Sequence, residues 1–424
     1  MKNILWVILL VGFVNVSVSA QDDGIKLAKK AKKAITNYFL DPGTKSNLTE
    51  AKDLIDKAFA TGAVEGDGTA WATKGEIYAQ FTKNDATMKS INNDYVSQNL
   101  DAGLTSFDSF KKSIEKLEKE GAKKDSYKSI AELLPFLDYT WQEYYNLKKY
   151  NDAFLVINSM LVGHSMLKEV KLKSPLDNIE DLNLHYFYAG TALLQDGKKD
   201  LAIEMLEKSL NGGNKSSDLY ENLINANLEI NKESALKYIK EGRLLFPENN
   251  GILFSEINYY LALNQSDTVI NRLLLAIERE PENISVITTL GNTYDKLYQK
   301  YETDLDTISS KLYFEKAVQT YNLSLKKDPN NTFANYSLGA LYYNKAAIYD
   351  RYANSLGLSL ADQKKYDYYK ALISDLFNIA LPYFLAAENS DPKDRNTIIA
   401  IREIYAKTNQ LEKALEYKKK LEEL

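Results

Sequence analysis

Residues 183–283 decide the fold. They fall into three aligned blocks: NLHYFYAGTALLQDGKKDLAIEMLEKSLNGGNK (183–215), SSDLYENLINANLEINKESALKYIKEGRLLFPEN (216–249) and NGILFSEINYYLALNQSDTVINRLLLAIEREPEN (250–283). In the first block Tyr186, Ala189, Gly190 and Leu193 precede Ala202, Leu206 and Ser209. In the second, Leu219, Asn222, Leu223 and Ala226 precede Ala235, Ile239, Gly242 and Pro247. In the third, Leu253, Glu256, Ile257 and Tyr260 precede Val269, Leu273, Ala276 and Pro281. The step is 33–34 residues. Each block holds two apolar stretches of helical period, the mark of a repeated helical hairpin. One hairpin cannot bury its own apolar stripe, so neighbouring copies must stack.

The pattern extends outward in both directions. Upstream, Leu137, Trp141, Tyr144, Ala153, Ile157 and Met160 form a unit over 134–167, with Pro135 expected in the first turn of its helix. Before it, Trp71, Gly75 and Tyr78 open a unit whose second helix is displaced to Ala102, Ser106 and Ser109 by a polar stretch from Asn84 to Asn99. Residues 25–40 and 48–60 make the first pair. Downstream, Ile287 to Tyr294 and Ala317 to Pro329 bound one unit, Leu338 to Tyr342 and Ala380 to Pro392 another, and Ile398 to Ala414 the last.

The closing prolines serve as a ruler. Pro247 and Pro281 are 34 residues apart, Pro281 and Pro329 are 48, and Pro329 and Pro392 are 63. The excesses over one repeat are close to four and eight helical turns. Whole turns keep the apolar stripe on one face, so both insertions read as lengthened hairpins. In the second, Gly357 is expected to end the outgoing helix. Ser359 and Asp362 resemble a capping box opening the return helix, and Pro382 is expected to kink it.

The spacing of aromatic, small and closing Pro residues resembles the tetratricopeptide repeat, in particular exported bacterial members of that family. The resemblance covers most of residues 32–424. It implies an all-α, right-handed superhelical solenoid of antiparallel helix pairs, about nine units, some with lengthened hairpins. The organisation expected is a signal peptide at 1–20, an N-terminal helical pair at 21–66, divergent units with an insertion at 67–182, regular units at 183–283, lengthened units at 284–394 and a C-terminal pair at 395–424.

Residues 1–20 stand apart from the repeats. Lys2, the apolar run Ile4 to Val14 and Val18-Ser19-Ala20 read as a secretory signal with a small-residue cleavage site. The apolar run is too short for a membrane span, and no integral span is expected after the signal is removed. The chain has no cysteine, so it holds no disulfide, thiolate metal ligand or lipid-anchoring cysteine. These features suggest export to the periplasm of a Gram-negative bacterium, or secretion, with peripheral association with cell-envelope complexes as one possibility. The formal charge of −5 gives no drive towards nucleic acid. The five lysines from Lys26 to Lys33 read as the solvated face of a capping helix.

Catalytic patterns are missing. The two histidines, His164 and His185, fall on different segments, and His164 reads as a surface or capping residue. There is no phosphate loop, HExxH or GxSxG. No enzyme activity, cofactor or metal is expected. In the family resembled, the first helix of each unit lines a concave groove. Carried over by offset, the groove residues are Phe187 and Leu194, Tyr220 and Ile224, Phe254 and Asn258, Thr288 and Asn292, and Tyr336 and Tyr343. Asn258 and Asn292 share an offset and could bond the backbone of an extended peptide. The family's clamp for a terminal carboxylate needs basic groups, and Ala72, Asp138, Phe187, Tyr220, Phe254, Thr288, Tyr336 and Ile399 at that offset supply none.

The expected function is therefore a non-catalytic scaffold for a protein or peptide partner, bound through the groove or the long hairpins. The alternative is a glycan-binding helical-repeat protein of the bacterial cell surface. The tyrosines between Tyr342 and Tyr383 read as packing for the long hairpin along its own length, against the alternative of a docking arm.

Overall fold

The computed structural model describes residues 22–424. The export signal expected at 1–20 lies outside the described residues. Among these, every regular element is a helix. In chain order they are α1 (22–40), α2 (Lys45–Ala60), α3 (Gly68–Ile91), α4 (Ala102–Lys116), α5 (Glu120–Asn146), α6 (Tyr150–Glu169), α7 (Ile179–Gln195), α8 (Lys199–Asn211) and α9 (Ser217–Ile230). There follow α10 (Lys232–Leu245), α11 (Asn250–Ala262), α12 (Ser266–Arg279), α13 (Ile284–Thr303), α14 (Thr307–Lys327), α15 (Thr332–Asn354), α16 (Leu360–Ser390), α17 (Arg395–Lys407) and α18 (Leu411–Glu422). They form two compact units, one reaching to Gly242 and one covering Arg243–Leu424.

Local sequence signals set the boundaries. In the second unit each closing proline is followed two residues later by an N-cap. Asn249, Asn283, Asn331 and Asp394 accept from backbone N–H groups in the first turns of α11, α13, α15 and α17. The proline cannot extend the outgoing helix, and the Asn or Asp side chain satisfies donors that the incoming helix leaves unpaired. The turn inside a pair has its own device. Lys148, Gly197, Asn264, Leu305 and Asn409 all have positive φ. At Gly197 the N–H bonds to Leu194 O, and the next N–H, of Lys198, bonds to Leu193 O. The same two-bond closure recurs at the other four, a Schellman end that reverses the chain within three residues.

Within each unit, helices pack chiefly on their chain neighbours, as α3 on α4, α5 on α6, α7 on α8 and α15 on α16. The small residues of the repeat sit at the crossings. A Cβ on Gly190 would lie 2.6 Å from Leu206 Cγ and 3.1 Å from the Ala202 carbonyl oxygen. Gly75 meets the Phe110 ring and Gly291 the Tyr321 ring in the same way. Ser106 and Ser209, at small second-helix positions, donate to Gly75 O at 2.8 Å and Asn183 O at 2.7 Å. Glu256 stands in register with Ala189 and is buried. Its carboxylate is held by Arg272 Nε at 2.8 Å and Arg243 Nε at 3.4 Å, so the charge is paired rather than stranded.

Both insertions are lengthened hairpins. α13 and α14 have 20 and 21 residues, and α15 and α16 have 23 and 31, against 13 and 14 in α11 and α12. The Ser359 hydroxyl caps α16 by accepting from Asp362 N–H. Tyrosines pack along the long pair, with Tyr349 stacked on Tyr369 and Tyr342 on Tyr383. Tyr368 stays exposed. α16 is long and apolar enough to cross a membrane, yet its Ile373, Phe377, Ala380 and Phe384 are buried in the core of the second unit.

Three local expectations need correction. Pro135 is not in a first turn, because α5 begins fifteen residues earlier at Glu120. Leu133, Leu134 and Leu137 around it are fully buried, and this packing offsets the missing backbone bond. α3 runs on through much of the polar stretch to Ile91, where Asp85 is buried and accepts from Tyr95 and Ser97. α15 ends at Asn354, before Gly357. Pro382 lies inside the return helix α16, as expected.

The crossing at Gly190 can be tested by urea unfolding. Gly190→Ala should lower the midpoint: overpacking costs about 1–3 kcal/mol, against a helix-propensity gain of about 1 kcal/mol. Gly121→Ala, a helical position with open space around its Cβ, should raise it. Equal midpoints would show that α7 and α8 separate freely.

Candidate functional site

Among the described residues, clefts open between the first helices of consecutive pairs. One lies between α5 and α7 in the first unit. Two more lie between α11 and α13 and between α13 and α15 in the second. Second helices pack on the first helix of the next pair, as α6 on α7 and α12 on α13, and these clefts lie beside that packing between the first helices. Each unit is built of stacked antiparallel helix pairs, the arrangement that the tetratricopeptide resemblance implies.

The α5–α7 cleft holds about 650 Å³ and is lined by Asp138, Trp141, Gln142, Tyr145, Asn146, Phe187, Tyr188 and Thr191. Asp138, Gln142 and Asn146 follow one another at i, i+4 and i+8 along α5, so they share a face. Trp141 and Tyr145 run beside them. From α7, the Tyr188 ring stacks on Trp141 with centroids 4.8 Å apart, and Phe187 lies 5.8 Å from Tyr188. Thr191 Oγ1 donates to Phe187 O and accepts from Asn222 Nδ2, which fixes the far end of the wall.

A buried histidine anchors the carboxylate. Asp138 Oδ1 accepts from Trp141 Nε1 at 2.9 Å and from His185 Nε2 at 3.0 Å. The other ring nitrogen, Nδ1, faces the Asp181 carbonyl at 2.8 Å. Both partners of the ring are pure acceptors, so only the imidazolium satisfies both. Burial of His185 disfavours that charge, but the bonds to Asp138 and Asp181 outweigh it and hold its pKa above the ordinary 6.5. Burial likewise works against ionised Asp138, and the His185 and Trp141 bonds more than offset it, holding the carboxyl below 3.8.

The second cleft holds about 240 Å³ and is lined by Phe254, Ile257, Asn258, Leu261, Leu273, Asn283, Ser285, Val286 and Thr289. The third holds about 570 Å³. Among its lining residues is Tyr298, whose buried hydroxyl has no hydrogen-bond partner among the described residues.

The groove residues read from the sequence are scattered across these environments. Phe187 lines the first cleft, and Phe254 and Asn258 line the second. Asn292 is half-buried on α13 outside that lining, so the two amides do not face one cleft. Tyr220 is 3% exposed, and Ile224 is fully buried. Neither is available to a ligand, because the apolar arc of α9 also takes in Leu219, Leu223, Ala226 and Asn227. Thr288 is buried and bonds to its own helix. Leu194 is half-buried. Tyr336 packs on Phe384, and Tyr343 packs on Phe377 and donates to Glu403 Oε2 at 2.9 Å. His164, expected at the surface, is half-buried within α6 with Nδ1 at 2.9 Å from Ser174 Oγ.

Sequence reasoning did not single out Gln142, Asn146, Tyr145, Tyr188 or Thr191 as cleft residues. The signal was the i, i+4, i+8 polar ladder on α5. Counting from Pro135 as a helix start hid it. Among the described residues, no group of three or more His, Asp or Glu side chains is arranged to hold a metal ion.

No family model matches the chain, and no curated protein matches it. Solved structures do align with parts of it. A tetratricopeptide-repeat protein from Bacteroides fragilis is 21% identical over 53% of this chain and 98% of its own, with a TM-score of 0.32. YrrB, described as a tetratricopeptide protein with an unusual peptide-binding site, is 15% identical over 53% and 95%, with a TM-score of 0.34. The MamA protein is 18% identical over 46% and 92%, with a TM-score of 0.35.

The His185 pair makes stability pH-dependent. A group whose folded pKa is raised contributes stability that is fully present below its unfolded value, here 6.5, and lost as pH rises through the folded value. Asp138 acts in the opposite sense, its contribution being lost as pH falls below its unfolded 3.8. Comparing melting temperatures at pH 6 and pH 9 (about half a unit below and a few units above the histidine's reference value), the wild type should fall further than His185→Gln. Parallel profiles for the two proteins would refute the imidazolium assignment.

Proposed function

We propose that this chain is an exported, non-catalytic scaffold that holds an extended segment of a protein partner in the α5–α7 cleft. One observation carries the reading. Gln142 and Asn146 are exposed amides without a hydrogen-bond partner among the described residues, and they stand beside an aromatic wall of Trp141, Tyr145, Phe187 and Tyr188. An amide both donates and accepts, as a peptide backbone does. Their rise along α5 is about 6 Å. An extended chain repeats every two residues at about 6.6–6.8 Å, so successive backbone groups on one side of a peptide fall near successive amides.

The aromatic and amide composition also suits a sugar ring, which is the second reading. The ladder's spacing favours the peptide. The clefts of the second unit are offered as further contact points, with Phe254 and Asn258 as their candidates. Export rests on the signal pattern at residues 1–20 and places the scaffold in the periplasm or outside the cell. Fractionation of the native host tests that part: cytoplasmic recovery of the uncleaved chain would overturn it.

The binding test uses a random peptide library displayed on phage and selected on the purified protein. Selected peptides should bind saturably. The double variant Gln142→Ala/Asn146→Ala should bind them about tenfold more weakly, the loss of two ordinary hydrogen bonds. Unchanged affinity in the variant would overturn the site. A library yielding no peptide, together with saturable hits on a glycan array, would overturn the peptide reading.

A further inference from the structure

We infer that the α5–α7 cleft selects a basic side chain, lysine or arginine, on the segment it binds, and that Asp138 reads it. The inference rests on the peptide reading of this cleft and adds a specificity to it. Asp138 is the sole ionised side chain among the lining residues. Both hydrogen bonds it receives fall on one oxygen, Oδ1. The second oxygen, Oδ2, receives none from the described residues, and the side chain remains 44% exposed. A carboxylate oxygen left open at the wall of an aromatic cleft is an acceptor waiting for a donor that comes with the ligand.

The surroundings decide which donor. An anionic side chain would be repelled. A fully apolar one would strip water from Oδ2 and return no bond, an unfavourable exchange for a charged group. A lysine or arginine satisfies Oδ2 with a charge-assisted bond. Its cation also faces the rings of Trp141, Tyr145, Phe187 and Tyr188, whose π-faces attract positive charge.

Among the described residues, the buried imidazolium of His185 is the charge that acts on Asp138, and it opposes such a ligand. It bonds Oδ1, on the other limb of the carboxylate, so a cation on Oδ2 is closer to the carboxylate than to the ring. Coulomb energy falls with distance, and the nearer attraction prevails. His185 and Trp141 also hold the Asp138 carboxyl in one orientation, so little side-chain entropy is lost when the ligand arrives. They act as positioning residues.

The experiment reads Trp141 directly. With residues 1–20 removed, the tryptophans are Trp71 and Trp141, so protein labelled with 5-fluorotryptophan gives two fluorine resonances. The probes are Ac-Ala-Ala-Xaa-Ala-Ala-NH2 peptides with Xaa as lysine, arginine, norleucine or glutamate, capped so that only Xaa carries charge. The same substitutions are made in a peptide selected from the phage library. Lysine and arginine forms should shift the Trp141 resonance saturably, about tenfold tighter than norleucine, with glutamate weakest and Trp71 unmoved. Asp138→Asn should remove the preference for lysine while keeping binding at the norleucine level. If that variant melts early, high salt serves instead, because the preference in the wild type must shrink as charge is screened. Equal binding of lysine and norleucine forms would overturn the inference and leave the peptide reading standing. Failure of every peptide, selected ones included, to shift Trp141 would overturn both.

Discussion

The structure depends on the close approach of two helices at a residue too small to keep them apart. At Gly190 the backbone of α7 comes within contact of Leu206 and of the Ala202 carbonyl on α8. Gly75 against Phe110 and Gly291 against Tyr321 repeat the arrangement. With the pair drawn together, its combined apolar stripe is wider than the pair can cover. The excess is buried on the next pair, and the chain grows by addition. One position before the crossing, in register with Ala189, Glu256 places a buried carboxylate that is held by Arg243 and Arg272.

The clefts are a by-product of the same constraint. Second helices pack on the first helix of the next pair, and between α5 and α7 a cleft is left. What fills the space between them depends on which side chains face it. Between α5 and α7 these are aromatic rings, two free amides and one carboxylate. A single buried histidine organises this set. His185 meets an acceptor at each ring nitrogen and so retains its proton, and its bond orients Asp138, as the Trp141 indole also does. The specificity proposed for the cleft, a basic side chain on an extended peptide, comes from the one oxygen that this arrangement leaves open.

Some of this was legible in advance. The repeat step, the small positions and the closing prolines are local or strictly periodic, and they identified the regular pairs and the lengthened pairs α13–α14 and α15–α16, whereas α3 and α5 run well past the limits read for them. The residue two positions after each closing proline (Asn249, Asn283, Asn331 and Asp394) proves to be an N-cap, a signal that was not read. The groove was read less well. Offsets within a repeat give the mean direction of a side chain, yet Tyr220 and Thr288 at groove offsets are buried, while Tyr188, at no such offset, faces the cleft. Helix rotation of a few tens of degrees about its axis is enough to make that exchange. It is set by the bulk of the neighbours, as around α9, where six residues are buried on one arc.

The sequence by itself determined the helical class, the repeat step and the lengthening of α13–α14 and α15–α16, because periodicity, caps and turn residues act over a few positions along the chain. Tertiary structure alone decided the site. Asp138 and His185 are 47 positions apart, and nothing local to either predicts that α5 and α7 bring them to 3.0 Å. Nor could the sequence say that Asp138 would keep one oxygen open, since that depends on where Trp141 and His185 both aim. Charge, burial and direction at the cleft are properties of the packed helices, and they exist once the stack has formed.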